Sequence, residues 1–377
     1  MNNTRKLILA SAGLIVLTVS IAVLNKKSTG AQASPPTLSV ILPLTGNTAF
    51  LGEFCKNGMD LAAEQANAIG AIGGQPLKLD YSDSKNEPKE GVAAFQKAML
   101  SRPAAVVVAM SSVTSAIAPL ADGQKLPLFA TMVSSKNVTV NHPWMFRLFI
   151  NADIDARLMA EFAAKKGFKN VSIVSVNDEM GGSFSSVFTD AFTGLGGKIA
   201  LHESFDKAAA DFRDVAAKVR AVQCDAVYLL GYDANLGQLA KALREQGITQ
   251  PLLSIATIAQ APVRAVAGDA LNNTFFTSVK FDADVPDGPK AVAFVAAYEK
   301  RFGKKPTYFS AFAYDSVLIL AETMRAKGTT AEAILQGLQS IASFEGTTGT
   351  ISFGGSHDAR FPMTVKQINQ GTVSIAK

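Results

Sequence analysis

Cysteine, tryptophan and histidine are scarce in this sequence, and each scarcity removes a class of function. The 377 residues include only two cysteines, Cys55 and Cys224. A disulfide framework is therefore excluded, and a chain this long stabilises itself through its core. Cys55 falls inside a helical pattern and Cys224 just before a strand, in different halves, so two buried free thiols are expected. The three histidines, His142, His202 and His357, are isolated from one another. That gives a zinc site little support. A GxxxxGK[ST] loop is missing. The clusters Ala71-Ile72-Gly73-Gly74 and Gly194-Leu195-Gly196-Gly197 each follow a helical pattern, whereas a dinucleotide loop must follow a strand. Gly181-Gly182-Ser183-Phe184-Ser185 begins like a nucleophile elbow but lacks the closing glycine. Basic residues are not interleaved with aromatics, which argues against a nucleic-acid partner. No cofactor or metal is expected, and the chain reads as a binding protein, not an enzyme.

What is present is a fairly apolar globular chain, with 48% hydrophobic and 18% charged residues. The net charge of +5 comes largely from the first residues. Without Arg5, Lys6, Lys26 and Lys27 the balance is 32 basic against 31 acidic residues. Arg5-Lys6, the uncharged run Leu7–Leu24 and the small-x-small Ala31-Gln32-Ala33 make residues 1–33 a signal peptide, with Ser34 as the first mature residue. The alternative is an uncleaved anchor, for which the run is at the short limit and Lys26-Lys27 a stop. No cysteine closes the run, which excludes a lipid anchor on that residue.

The chain is organised around Ala104 to Ser135. Ala104–Ala109 reads as a buried strand, and Leu126–Ala130 as a second with Pro127 near its start. A helix over Val113–Gly123 joins them. Ser111 and Ser112 stand where the first strand gives way to this helix, a place that favours an anion. Thr131 to Ser135 follow the second strand. If the strands are parallel neighbours, both hydroxyl clusters open at the sheet edge where α/β proteins bind ligands. The plainer alternative is that the serines cap the helix.

Upstream, the pattern gives a strand Leu38–Leu42, a helix Phe50–Ile69, a strand Leu77–Ser82 and a helix Pro88–Leu100. After an extended apolar run at Trp144–Phe149 the alternation restarts. It gives helices at Ile154–Lys166, Phe184–Leu195, Phe212–Val222 and Asn235–Glu245. The strands between them are Val171–Val176, Lys198–Ser204, Ala226–Leu230 and Leu252–Ala256. Residues 275–281 are again extended and apolar. Long helices at Pro289–Phe302 and Ser310–Lys327 follow, and a closing hairpin pairs Gly349–Phe353 with Met363–Gln370. Strand and helix alternating twice over predicts two α/β lobes with parallel sheets.

Several segments together carry a family resemblance. They are Ile41-Leu42-Pro43-Leu44-Thr45-Gly46, the helix ending at Asn67 and Gly70–Gly74, and the turns at Ser111–Thr114 and Ala130–Ser134. Gly231-Tyr232, the block Tyr308–Leu320 and Phe344–Phe353 complete the set. In order and spacing the chain resembles the type I periplasmic solute-binding proteins of the leucine/isoleucine/valine-binding class, which feed ABC importers. The resemblance runs from Thr37 to Gly371. It implies two doubly wound lobes joined by three hinge crossovers near 147–151, 276–281 and 345–350. Lobe one would be 37–148 with 280–346, and lobe two 150–277 with 349–377. It further implies a periplasmic protein that captures a small ligand by hinge closure and delivers it to a membrane permease.

The same resemblance implies a site. Ser111, with Ser112 beside it, would hold a ligand carboxylate. Met132, Val133 and Ser134 would add backbone groups and a second hydroxyl. Leu51 with Phe50 would form a wall, and Met180 and Tyr232 would close it from lobe two. Both hydroxyls are assigned to the ligand, so Ser111→Ala with Ser134→Ala is expected to lose affinity with little change in stability. The chain departs from the family in one place. Amino-acid binders carry an acid after the strand at 252–256, and here Ser254-Ile255-Ala256-Thr257-Ile258 has none. A buried ammonium without a partner is costly. Either Asp233, Asp178 or Glu179 replaces the acid, or the ligand is an aromatic acid, keto acid or amide without an ammonium. Leu51, Met132 and Ile255 suggest an apolar ligand body. A ligand sensor of the same fold, coupled to a signalling partner, remains a second reading.

Overall fold

The computed structural model describes residues 35–376. The export segment expected over residues 1–33 lies outside the described residues. The first sheet is built from β1 (Thr37–Leu42), α1 (Ala49–Ile69), β2 (Lys78–Asp83), α2 (Pro88–Met99), β3 (Ala105–Val108), α3 (Ser111–Gln124), β4 (Leu128–Ala130) and β5 (Met145–Arg147). Its strand order is β2-β1-β3-β4-β5, and every pairing is parallel. Ala105-Val106-Val107-Val108 is buried along its whole length. Such an unbroken apolar run, three of its four residues valine, suits a central strand covered by helices on both faces.

The second sheet follows α4 (Ala152–Lys165). It takes β6 (Asn170–Val176), α5 (Glu179–Gly194), β7 (Lys198–Phe205), α6 (Arg213–Arg220), β8 (Ala226–Leu230), α7 (Asp233–Glu245), β9 (Leu252–Ile255), α8 (Ala261–Ala267) and β10 (Thr274–Val279). The chain then returns to the first sheet through α9 (Pro289–Phe302), α10 (Tyr308–Lys327) and α11 (Ala331–Gln339). It ends with β11 (Phe344–Gly346), β12 (Gly349–Ile351), β13 (Met363–Asn369) and β14 (Thr372–Ile375). The order in the second sheet is β14-β13-β10-β9-β8-β6-β7. Three passages join the two halves: after β5, after β10, and just ahead of β13, since Phe353 and Asp358 still pack against β5 of the first sheet and the turn at Thr347-Thr348 only closes the β11–β12 hairpin. The fold is α/β, with two doubly wound lobes joined by three crossovers.

The closing hairpin differs from the expectation. β12 pairs antiparallel with β11, not with β13. β13 pairs with β10 on one side and with β14 on the other. Sequence proximity decides the β11–β12 and β13–β14 pairings, because each needs only a two-residue turn. At Gln370-Gly371 both residues have positive φ, 49° and 72°, as a tight twisted hairpin turn requires. Helix α5 starts at Glu179 instead of Phe184, with Asp178 as its cap; the Gly181-Gly182 pair hides this start from a propensity reading. Helices α8 and α11 add to the elements expected from periodicity.

Helix α1 packs along α10 and fixes the roof of the site. A side chain at Gly58 would place its Cβ 2.2 Å from the Ser310 carbonyl oxygen, so only glycine permits this approach. Both cysteines are buried and unpaired. Among the described residues no helix is long and apolar enough to cross a membrane.

Candidate functional site

β3 and β4 are parallel neighbours, with Val108 beside Ala130, so the turns after them open side by side. The turn after β3 is tight. Met110 caps α3 with φ 74° and offers no side-chain acceptor to the helix. Ser111 is the first helical residue, and its Oγ accepts from the N–H groups of Ser134 at 3.3 Å and Ser135 at 3.2 Å. The serine therefore fastens the neighbouring turn instead of capping its own helix. Its lone pairs are occupied, which leaves its O–H as a donor for something in the cavity. The first N–H groups of α3 add donors at the same place.

Ser111, Ser112 and Ser134 share one cavity with Leu51, Met132, Met180, Tyr232 and Ile255. Three expected residues stand outside that wall. Phe50 packs edge-on to Phe54, with ring centroids 6.0 Å apart. Val133 is buried in the core. Asp233 begins α7 with φ 64°, and its Oδ1 accepts from the Asn235 N–H at 2.8 Å. Burial raises its pKa to about 6. The Ser134 N–H and the Met132 carbonyl are also occupied, the latter by the Met110 N–H at 3.3 Å. These two backbone groups are spent within the protein, while Ser134 itself lines the cavity.

The apolar wall is more aromatic than expected. Phe149, just after β5, lies over Tyr308 and Phe309 at the start of α10, with centroids 6.2 and 5.9 Å apart. Phe184 of α5 closes the far side. Met132 has φ 53°, and the Cys55 thiol contacts its sulfur at 3.9 Å. Burial pushes the Cys55 thiol up to about 12, so it stays protonated.

The remaining polar groups come from elements of the second sheet. The Asp178 Oδ1 accepts from the Gly181 N–H at 2.9 Å, capping α5. Its Oδ2 accepts from the Tyr232 hydroxyl. Burial first, then the Asp178 charge, drives the Tyr232 pKa up, while Asn86 from the first half hydrogen-bonds the same hydroxyl. Thr257 lines the cavity after β9 and donates to the Gly231 carbonyl at 2.7 Å. Asp155, in the first turns of α4, also lines the cavity and is wholly buried. Its Oδ1 accepts from the Thr277 hydroxyl on β10. Burial raises its pKa to about 7. The sequence carries a signal for this residue. The buried stripe of α4 runs Ala152, Ala156, Met159, Ala160 and Ala163, and helical spacing puts Asp155 on that same face.

Polar contacts cross between the two halves around the cavity. The Ser115 hydroxyl on α3 donates to Glu179 on α5 at 2.7 Å. The Lys136 N–H donates to Ser183 Oγ at 3.0 Å, and Lys207 pairs with Glu87 at 2.7 Å. The cavity is thus bridged by contacts from both halves. Among the described residues no group of three or more His, Cys, Asp or Glu could hold a metal.

A family model described as periplasmic binding protein matches residues 35–372, and the chain belongs to this family. The chain is 25% identical over 339 residues to the Leu/Ile/Val-binding protein BraC3 of Rhizobium johnstonii, covering 85% of this chain and 88% of that protein. The crystal structure of the leucine-binding protein LivK from Thermotoga maritima superposes with a TM-score of 0.85 at 24% identity, covering 91% of this chain and 98% of that one. A solute-binding protein of an ABC transporter from Rhodopseudomonas palustris BisB5, in complex with 3,4-dihydroxybenzoic acid, superposes at 0.81 with 20% identity, covering 89% and 93%. The chain is a solute-binding protein of the extracytoplasmic type and not an enzyme.

Proposed function

From its membership of the periplasmic binding protein family we propose that this chain captures a small carboxylate with an apolar body and delivers it to the permease of an ABC importer. One observation carries the reading. Ser111, Ser112, Ser134 and the free N-terminus of α3 form an anion-holding pole, and an aliphatic and aromatic wall faces it across the cavity. A carboxylate gains charge-assisted hydrogen bonds at such a pole. The lobes are 37–148 with 280–360 and 150–277 with 363–376, a later boundary than 346/349 because 349–359 stay with the first sheet through β11, Phe146 and Arg147, and residues 1–33 direct export. Closure stabilises the complex only by the ligand's preference for the closed form.

A second reading, an aromatic-acid binder, is favoured by the stacked Phe149, Tyr308 and Phe309. The relative from Rhodopseudomonas palustris holds a ligand of that kind. The test is a thermal-shift panel on residues 34–377 with leucine, valine and phenylalanine, their keto acids, and benzoates. Stabilisation by at least one compound is expected. A flat response to the whole panel would remove the small-carboxylate reading.

A further inference from the structure

Arg147, the last residue of β5, is the only basic side chain among the described residues that is fully buried. It does not line the cavity, and its guanidinium lies behind the turn that follows β4. Nε donates to Asp358 Oδ1 at 2.7 Å, and Nη1 donates to the Ser135 carbonyl at 2.6 Å. Nη2 finds no hydrogen-bond partner among the described residues. Desolvating a cation is costly, and one carboxylate offsets that cost only in part. The connections of this buried charge run to the anion-holding pole. Ser135 gives its carbonyl to Arg147 and its N–H to Ser111 Oγ, so a single residue separates the guanidinium from the serine at the pole. The Ser134 N–H reaches the same Oγ, and the Ser134 carbonyl accepts from the Ala152 N–H at 2.9 Å. The turn is gripped on one side by Ser111 and on the other by Arg147.

Charge balance points the same way. None of the described lining residues is Lys, Arg or His, so the cavity wall gives a carboxylate no ionic partner. Arg147 places a cation one layer behind that wall. Its partner does not cancel it. The Asp358 side chain is 28% exposed and shares its other oxygen with the Thr139 hydroxyl at 3.0 Å, whereas the Arg147 side chain is 1% exposed. Water screens the exposed member of such a pair and leaves the buried member to act through the protein interior, where a charge reaches further.

We infer that Arg147 is a positioning residue for the anion-holding pole: it holds the Ser134-Ser135 turn against Ser111 and, from behind the cavity wall, supplies the positive potential that a bound carboxylate meets. Asp358 sets how much of that potential reaches the ligand. This rests on the small-carboxylate reading above and names the charge that serves it.

The test is calorimetric titration of the wild type, Arg147→Met and Asp358→Asn with leucine, the keto acid of leucine, and benzoate, beside denaturant titration of each protein without ligand. Methionine keeps an unbranched side chain without the charge, and asparagine keeps an oxygen for the Arg147 Nε–H. Breaking the pair should lower both denaturation midpoints, whatever else the pair does. Affinity separates the roles. Arg147→Met should weaken carboxylate binding by roughly tenfold, the scale of one charge acting across about 10 Å of protein. Asp358→Asn removes the opposing charge and should strengthen binding several-fold, although the protein is less stable. A pair that only holds the fold would lose affinity in both variants. Affinities that fail to move in opposite directions would overturn the assignment, and would leave the small-carboxylate reading intact so long as the wild type binds one of the compounds. A wild type that binds none of them would remove both. Should Arg147→Met not fold, Asp358→Asn decides alone: tighter binding than wild type supports the assignment, and equal or weaker binding overturns it.

Discussion

The Ser115 hydroxyl on α3 donates to the Glu179 carboxylate on α5 at 2.7 Å, and so ties a helix of the first sheet to a helix of the second. Both residues flank groups that line the cavity, Ser111 and Ser112 on one side and Asp178 and Met180 on the other. A hinge motion that parts the two sheets would break this bond. It therefore adds to the difference between closed and open forms on which affinity depends.

Ser115→Ala should weaken ligand binding by about tenfold while leaving the stability of the empty, open protein unchanged. A hydrogen bond to a charged acceptor contributes about 1.5–3 kcal/mol. Titration and a melting curve on the same sample separate the two effects. A parallel fall in melting temperature without ligand would show that the contact holds the fold rather than the closed state.

Ser111→Ala and Ser134→Ala should behave differently. The sequence reading assigns both hydroxyls to the ligand alone, but Ser111 Oγ also accepts the N–H groups of Ser134 and Ser135. Its removal strands two buried donors, at a cost of about 1–3 kcal/mol each. Ser111→Ala should lower both the denaturation midpoint and the affinity, and Ser134→Ala the affinity only. Equal midpoints for the two variants would contradict this.

The stability of the empty protein should depend on Asp155 in a defined pH window. Burial raises its pKa in the fold to about 7, and an unfolded chain ionises this group near ~3.9. The folded state thus holds the proton longer. The stability this gives is present below the unfolded pKa and lost as pH rises through the folded one. Asp155→Asn, which cannot ionise, should match the wild type near pH 4 and exceed it by a growing margin up to about pH 7, reaching a few kcal/mol. Denaturant titrations of both proteins across this range measure the margin. A constant difference would mean that the carboxyl is not desolvated.

Gly58→Ala should destabilise the fold by roughly 1–3 kcal/mol, the range for overpacking. The added methyl meets the Ser310 backbone at 2.2 Å, and neither helix backbone can yield without moving α1 from α10. Chemical denaturation reads this directly. An unchanged midpoint would show that the two helices part easily.

Native protein should resist thiol reagents. Cys55 and Cys224 are both buried, and burial holds the Cys55 thiol near 12, far from the reactive thiolate. Labelling should appear only with denaturant, and rapid labelling without it would reveal local opening around α1 for Cys55 or ahead of β8 for Cys224.

The sequence by itself determined the alternation of strands and helices, because buried parallel strands and amphipathic helices leave periods that neighbouring residues alone set. It also located the Ser111 turn, since a strand ending in hydroxyls before a helix is a local arrangement, and it marked the lack of an acid after β9. Other features depended on residues far apart in the chain. Pairing β13 with β10 required the whole sheet to assemble. Phe149 meets Tyr308 only because the chain crosses between lobes and returns. The free O–H of Ser111 depends on which N–H groups a neighbouring strand brings to it. Asp155 shows the division most sharply. Helical spacing places it on a buried face, but only tertiary packing decides that Thr277 satisfies one oxygen while the other is left without a hydrogen-bond partner among the described residues. Desolvation and partner choice are properties of the assembled interior, and no local pattern carries them.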